Sequence, residues 1–304
     1  MSDPYYANVS LLLPMNGANN GTTFTDWSPT PKTITRTNAV TSTAQSKYYG
    51  SSGYFDGVND YLTIGSTSVA DFGTNPFTIE FWCNIASTST VSWPYALASS
   101  RYNSGYGFYI VVMGSGTGWG GPGYVSFAAS SLVTNGGSAN STSVVRGAGW
   151  KHVAVTRDGA VTRLFIDGVK EVTHTAAGTA NYTSTVNPLV MADIASPSNT
   201  NEKGYLQDLR ITKGTARYTD TFTPPSRLFR GVSGTILDTD GSPCARTIYV
   251  YDNATGAYLG TTTSDASTGA YEVLCNGSGN EVFRVVMANE STLYNHIIDR
   301  INPE

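Results

Sequence analysis

The sequence predicts an all-β protein built from two sandwiches, and three observations carry that prediction. Charged residues make up only 13% of the 304-residue chain, which is rich in Gly, Ser, Thr, Asn and Tyr and poor in the Glu and Lys that helices use. Apolar and polar residues alternate over short runs bounded by Gly, Asn, Asp and Pro, and no stretch sustains a 3.6-residue period. The segment from Trp150 to Gly168 reads as two strands joined by an Asp158-Gly159 turn and followed by a second turn at Asp167-Gly168. Val153 and Val155, then Leu164 and Ile166, alternate with polar neighbours, and Asp-Gly supplies the positive backbone angles of a tight hairpin.

The elements follow in order. Ser10 to Leu13 is the first strand, and Gly53–Gly57 with Tyr61–Ile64 reads as a hairpin-like pair. Phe77 to Ile85 is the cleanest alternation, with Phe77, Ile79, Phe81, Cys83 and Ile85 on one face, so Cys83 is expected as a buried free thiol. Phe108 to Met113 is continuous and apolar, as a strand covered on both faces would be. Tyr124–Ala128, Lys151–Arg157, Thr162–Asp167, Leu189–Ala192 and Gly204–Ile211 complete the block. Thr223-Pro224-Pro225-Ser226 cannot continue a central strand, which sets the domains at 1–228 and 229–304. The second block carries strands at Gly231–Leu237, Ile248–Tyr251, Tyr258–Thr263, Gly269–Leu274 and Val282–Met287, with turns at Asp240–Pro243 and Asn253–Gly256. It reads as a sandwich of immunoglobulin-like size. Cys244 and Cys275 both fall there, as a pair or as two reduced thiols.

Charge and leader patterns remove several function classes. The net charge is −4 and no basic patch occurs, so no nucleic-acid partner is expected. No apolar run is long enough to span a bilayer, so no membrane insertion is expected. Met1 to Tyr6 lacks the positive region and apolar stretch of a secretory signal, which leaves the Asn140-Ser141-Thr142 triplet a chance match.

Residues 8–228 resemble the laminin-G-like, concanavalin A-like jelly roll. The resemblance lies in Tyr54–Leu62, Phe77–Trp82, the Trp150 block and Gly204–Thr212, followed by Ala216-Arg217-Tyr218 and Phe222–Pro225. The wording Thr212-Lys213-Gly214-Thr215-Ala216-Arg217-Tyr218 resembles versions of this domain in structural proteins of tailed bacteriophages, as does the ending Tyr294–Pro303. The second block is similar to the transthyretin-like or carboxypeptidase-regulatory-like sandwich, with Gly234, Asp240-Gly241, Pro243, Ser264-Asp265 and Gly269-Ala270-Tyr271 at its turns.

These resemblances frame the chemistry. Jelly-roll hydrolases carry alternating carboxylates as Glu-x-Asp-x-x-Glu, and glycoside cleavage needs two. Glu80 stands alone on its strand, and no Gly-x-Ser-x-Gly elbow is present, so an enzyme is not expected. His152 reads as a packed structural histidine. Some domains of this family bind calcium, and Asp56, Asn59 and Asp60, with Asp208 on the last long strand, are the oxygen ligands on offer. The same residues also read as turn formers bonding nearby amides. Aromatic residues crowd the Gly-rich loops at Trp93, Tyr95, Tyr102, Tyr106, Trp119 and Tyr124. Such residues stack on sugars or anchor protein interfaces, and contact with a neighbouring protein is the preferred reading.

The resemblance therefore implies a non-enzymatic component of a phage virion, assembled in the host cytoplasm as a homo-oligomer among other virion proteins. Its jelly roll would be displayed for contact with host surface glycans. A dedicated carbohydrate-binding adhesin and a glycan-cleaving enzyme are the competing classes.

Overall fold

The computed structural model describes residues 3–88, 95–99, 107–112, 122–129, 139–175, 182–192, 194, 197, 201–225, 230–252, 256, 258–275, 283–287 and 296–301. The chain divides into two units, Tyr5–Ser226 and Arg227–Glu304, the latter grouped with Met1–Pro4. Every ladder described in either unit is antiparallel.

The larger unit is a jelly roll of two sheets. The eight-stranded sheet holds β1 (Val9–Leu13), β3 (Val40–Ser42), β4 (Ser52–Asp56), β6 (Phe77–Ile85), β11 (Trp150–Asp158), β12 (Val161–Ile166), β13 (Val169–Thr175) and β15 (Lys203–Lys213). Its order is β13-β12-β11-β6-β15-β4-β3, with β1 also pairing β15. The seven-stranded sheet holds β2 (Ile34–Thr37), β5 (Tyr61–Ile64), β7 (Tyr95–Ala98), β8 (Phe108–Val112), β9 (Tyr124–Ala129), β10 (Ala139–Val144) and β14 (Leu189–Val190), in the order β10-β9-β8-β7-β14-β5-β2.

Alternation fills the space between the sheets. Phe77, Ile79, Phe81, Cys83 and Ile85 of β6 point inward and are fully or almost fully buried, as their period of two requires. They meet Phe108, Ile110 and Val112 from the opposite sheet, and Phe77 stacks on Phe72 and Phe108. Cys83 is a free, buried thiol, pushed up above the ordinary thiol range by burial.

Two readings of the turns change. Gly53–Gly57 and Tyr61–Ile64 are not a hairpin: β4 pairs β3 and β15, whereas β5 pairs β2 and β14 of the other sheet. The Asp56–Asp60 link is a corner rather than a two-residue turn. Asp60 Oδ2 accepts the Asp56 N–H and Asp56 Oδ1 accepts the Val58 N–H, which steers the chain across the core. Between β11 and β12, Asp158 pairs with Val161, so the loop residues are Gly159 and Ala160 rather than Asp158 and Gly159. The following turn is of the expected kind, with positive φ at both Asp167 and Gly168.

β15 changes partners along its length. Its first half pairs β4 and its second half pairs β1. Asp208, with φ of 55°, sits where its register against β6 slips between Gln207 and Arg210.

The smaller unit has a two-stranded sheet, β16 (Arg230–Thr235) with β19 (Ala270–Cys275). Its four-stranded sheet runs β18 (Tyr258–Thr263), β17 (Thr247–Asp252), β20 (Phe283–Met287), β21 (His296–Ile301). Val232, Tyr271 and Val273 of the first sheet and Ile248, Val250 and Val285 of the second share one core with Ile236. Cys244 packs against that core as a free thiol. The Asp265 carboxylate closes the turn before β19. It accepts the backbone amide and the hydroxyl of both Ser267 and Thr268, which hold it down at about 2.

Candidate functional site

The outward face of the eight-stranded sheet gathers the chemistry-bearing side chains of the larger unit. On β6 the outward phase is Thr78, Glu80, Trp82 and Asn84, and it divides into a sealed half and an open half.

The sealed half centres on Glu80, which is fully buried. Its Oε1 accepts from Nε of Arg210 at 2.8 Å and from Nη2 at 2.6 Å. Its Oε2 accepts the Tyr218 hydroxyl at 2.9 Å and lies 3.4 Å from Nε2 of His152. Burial alone would raise this carboxyl, but the Arg210 guanidinium, with His152 and Arg217, holds it below the usual carboxylate range. Burial and the Glu80 charge push the Tyr218 hydroxyl up in turn.

The lid on this half is the segment 214–225, which runs over the sheet after β15. Its backbone is stitched down: Arg217 N–H donates to Oγ1 of Thr78, Thr156 Oγ1 donates to the Tyr218 carbonyl, and Phe222 N–H donates to the Gly168 carbonyl. Phe222 stacks on Tyr218 with centroids 3.5 Å apart and meets Phe165 and His152 edge-on. Gly168 permits the approach, since a Cβ there would lie 1.9 Å from the Phe222 oxygen. His152 is thus the packed histidine that the sequence predicts. Glu80 is a structural ion-pair partner with no water-accessible oxygen, and among the described residues its hydrogen-bond and ion-pair partners are Arg210, Tyr218 and His152 rather than a second carboxylate.

Between the halves, the loop 45–49 crosses over Trp82. Gln207 Oε1 accepts the Lys47 and Tyr48 amides, and its Nε2 donates to the Ser51 carbonyl. Tyr48 meets the Trp82 ring edge-on, and Lys47 Nζ lies 4.3 Å from its centroid.

Beyond that loop the face is open. A cleft of about 400 Å³ is lined by Gln45, Tyr54, Asn84, Ala86, Lys203 and Tyr205, with Gly204 at its floor. Tyr54 of β4, Tyr205 of β15 and Asn84 of β6 stand directly opposite one another in register, so their side chains share one face. The two tyrosine rings lie 4.9 Å apart at 37° and stay half-exposed. Asn84 Nδ2 reaches Oε1 of Gln45 at 3.4 Å across the cleft. Burial, then neighbouring Asp56 and Asp60, raise the Tyr54 hydroxyl, and burial raises that of Tyr205, so both are neutral donors at physiological pH.

A second buried arginine–glutamate pair backs this cleft. Arg146 meets Glu202 through Nη1 at 3.1 Å and Nη2 at 2.5 Å, and also donates to the carbonyls of Ala86 and Val112. Glu202 Oε1 accepts the Lys203 amide. Here burial outweighs Arg146, and the Glu202 carboxyl is pushed up to about 7.

The oxygen ligands proposed from the sequence do not converge. Asp56 and Asp60 bond backbone amides at the corner after β4, Asn59 Oδ1 accepts from Asn38, and burial raises the Asp60 carboxyl. Asp208 accepts the Tyr49 hydroxyl. It lies five residues along β15 from Lys203, the register partner of Asp56, roughly 16 Å away along the strand. Among the described residues no group of three His, Cys, Asp or Glu side chains is placed to hold a metal ion.

Of the aromatic candidates, Trp93, Tyr102, Tyr106 and Trp119 lie outside the described residues, as does the side chain of Tyr95. Tyr124 is half-buried on β9, and β8 separates it from Tyr95 on β7. The cleft residues went unremarked in the sequence because Tyr54 and Tyr205 read as ordinary strand residues. The available signal was a tyrosine, rather than a small polar residue, in the outward phase of two strands.

The family described as the concanavalin A-like lectin/glucanases superfamily matches residues 56–217. No curated protein sequence matches the chain. Among solved structures, the binding domain of botulinum neurotoxin serotype D/C is similar at 12% identity and a TM-score of 0.55, covering 96% of this chain and 74% of that one. The binding domain of Paraclostridial Mosquitocidal Protein 1 is similar at 12% identity and a TM-score of 0.52, covering 98% and 74%. Botulinum neurotoxin type C, which enters cells through interaction with two ganglioside molecules, is similar at 12% identity and a TM-score of 0.53, covering 96% and 73%. At these identities the likeness is one of fold.

Proposed function

We propose that this chain, which belongs to the concanavalin A-like lectin/glucanases superfamily, is a non-enzymatic glycan-binding module carried on a phage virion. The observation that carries the binding part is the open cleft. Two half-exposed tyrosine rings offer flat apolar surface, and the amides of Asn84 and Gln45 beside them offer both donors and acceptors. An apolar wall with a few placed polar groups is what a ligand site needs. The burial of Glu80 beneath Tyr218 and Arg210 supports a role without catalysis, since its oxygens are already taken.

Titration of the full chain against an array of bacterial and animal surface glycans tests this reading. Saturable binding lost in Tyr205→Ala supports it, and absence of binding to every glycan sinks it.

The virion setting rests on the resemblance of Thr212–Tyr218 and of the ending Tyr294–Pro303 to phage structural proteins. On this reading the chain assembles in the host cytoplasm as a homo-oligomer with other virion proteins. Mass spectrometry of purified particles is the check, and particles that lack the chain would overturn it.

A further inference from the structure

A buried side-chain cluster ties the two sheets together behind the cleft. Arg146 follows β10, and its backbone meets Ile85 of β6 in a parallel bridge, with the Gly147 N–H donating to the Ile85 carbonyl. The Arg146 side chain is almost wholly covered, and that of Glu202 is fully so. Nη1 donates to the Ala86 carbonyl just past β6 in the eight-stranded sheet, and Nη2 donates to the Val112 carbonyl at the end of β8 in the seven-stranded one. The same two nitrogens grip the Glu202 carboxylate ahead of β15. One guanidinium thus joins β6, β8 and β15 across the sandwich. The cleft wall hangs on the same cluster. Glu202 Oε1 accepts the Lys203 amide, the Lys203 carbonyl accepts the Ala86 amide, and Ala86 and Lys203 both line the cleft.

This arrangement tolerates only one state of Glu202. Each of its oxygens already accepts N–H groups: Oε1 from Arg146 Nη1 and Lys203, Oε2 from Arg146 Nη2. A proton added to either oxygen would point at donors and find no acceptor. It would also leave the Arg146 charge buried without a counter-ion, a costly state. The charged and titratable groups on the surrounding elements do not replace it. Cys83 of β6 feels the Glu202 charge, and burial keeps its thiol neutral. Lys203, the next residue, is itself a cation. On β4, Asp56 stands opposite Lys203, and past the corner Asp60 gives its carboxylate to the Asp56 amide and its carbonyl to Nδ2 of Asn201. From β8, Val112 offers a carbonyl and no charge.

Both problems disappear if Arg146 leaves when the proton arrives. Its guanidinium is then solvated, and the Glu202 O–H donates to the Ala86 or Val112 carbonyl that Arg146 has vacated. Neither state buries an unpaired charge. The two differ in what they tie together: the ionised state holds two charges out of water and joins three strands, and the protonated state gives up both.

We infer that Arg146 and Glu202 form a proton-operated latch. With Glu202 ionised the latch locks the cleft wall and the ends of both sheets; with Glu202 protonated Arg146 swings out and this end of the sandwich loosens. Burial pushes the Glu202 carboxyl up to about 7, which places the exchange near neutrality. The latch works without a ligand and is independent of glycan binding.

The test is an NMR titration of the unmodified full chain from about pH 5 to about pH 9. The Glu202 carboxyl carbon and the Arg146 Nε–H resonance should move together with one midpoint. Over the same range, amide exchange at Ala86, Gly147 and Lys203, corrected for its intrinsic pH dependence, should become about tenfold faster on the acid side. Glu202→Gln carries no charge to hold Arg146, so its exchange should be fast at every pH. An Arg146 resonance that stays fixed while Glu202 takes up its proton overturns the latch, as does a Glu202 carboxyl that remains ionised throughout. Equal corrected exchange at both ends of the range also overturns it, because no strand has then been released. Should Glu202→Gln fail to fold, the titration of the unmodified chain decides alone.

Discussion

The two halves of the outward face of the eight-stranded sheet are built from the same kinds of residue and end in opposite states. One half carries Glu80, Arg210, His152 and Phe165, and the chain itself covers it with Tyr218 and Phe222. The other carries Tyr54, Tyr205 and Asn84, and no segment among the described residues crosses the cleft they border. Each half has a buried arginine–glutamate pair, within the sealed half and behind the open one. Under the sealed half, Arg210 grips Glu80 with two nitrogens while Tyr218 and His152 add to it, and the carboxyl is held low. Behind the open half, burial prevails and Glu202 is pushed up to about 7. The lesson is that reactive-looking groups on a sheet face are no guide to a site. The question is whether the chain has already satisfied them.

The largest expected effect is on the sealed half. Arg210→Ala leaves Glu80 buried without its cation and should cost about 3–5 kcal/mol in urea unfolding. A change under about 1 kcal/mol would mean that the half is not sealed in solution.

Next comes a contrast in pH dependence. The folded form holds a proton on Glu202 up to about pH 7, whereas the unfolded chain releases it near 4.5. Stability from this group is therefore greatest at low pH and falls as pH rises from about 4.5 to about 7, by up to roughly 3 kcal/mol. Glu80 has the opposite sign. Its depressed pKa adds stability above the ordinary carboxylate value, lost only as pH falls into the strongly acid range. Thermal melts between pH 5 and 7.5 should thus show a downward slope that Glu202→Gln flattens and that survives in Glu80→Gln. A slope unchanged in Glu202→Gln would erase the difference between the pairs.

Gly168→Ala tests the lid alone. With φ of 78° and the Phe222 carbonyl in the way, it should destabilise by about 2 kcal/mol and expose segment 214–225 to proteolysis. Resistance to protease equal to the parent's would show that the lid docks by other means.

The smallest effect on stability is predicted for the open half. Tyr205→Ala should shift stability by less than about 1 kcal/mol while weakening glycan binding about tenfold or more. If it unfolds the protein as Arg210→Ala does, Tyr205 belongs to the scaffold and the two halves are alike.

Much of the fold was legible in the residues. The inward run Phe77, Ile79, Phe81, Cys83, Ile85 and the Asp167-Gly168 turn are local patterns, and the structure shows them as read. The pairing of Gly53–Gly57 with Tyr61–Ile64 was misread because proximity in sequence stood in for pairing. Asp56 and Asp60 spend their carboxylates on turning the chain from one sheet to the other. The site was less legible than the fold. Asp208 and Asp56 share a charge type but sit on different strands, with Asp56 opposite Lys203 and Asp208 five residues further along β15, and Tyr54 and Tyr205 become neighbours across about 150 residues of chain only through the β4–β15 register.

By itself, the sequence determined the all-β class, the phase of each long strand and therefore which side chains face the core. Those follow from a period of two and from turn chemistry, both read over a few residues. Only the tertiary structure decided which outward residues meet. Register brings strands far apart in sequence side by side, and the lid after β15 closes one end of the face over Glu80 while the other end, with its tyrosines, stays open to a ligand.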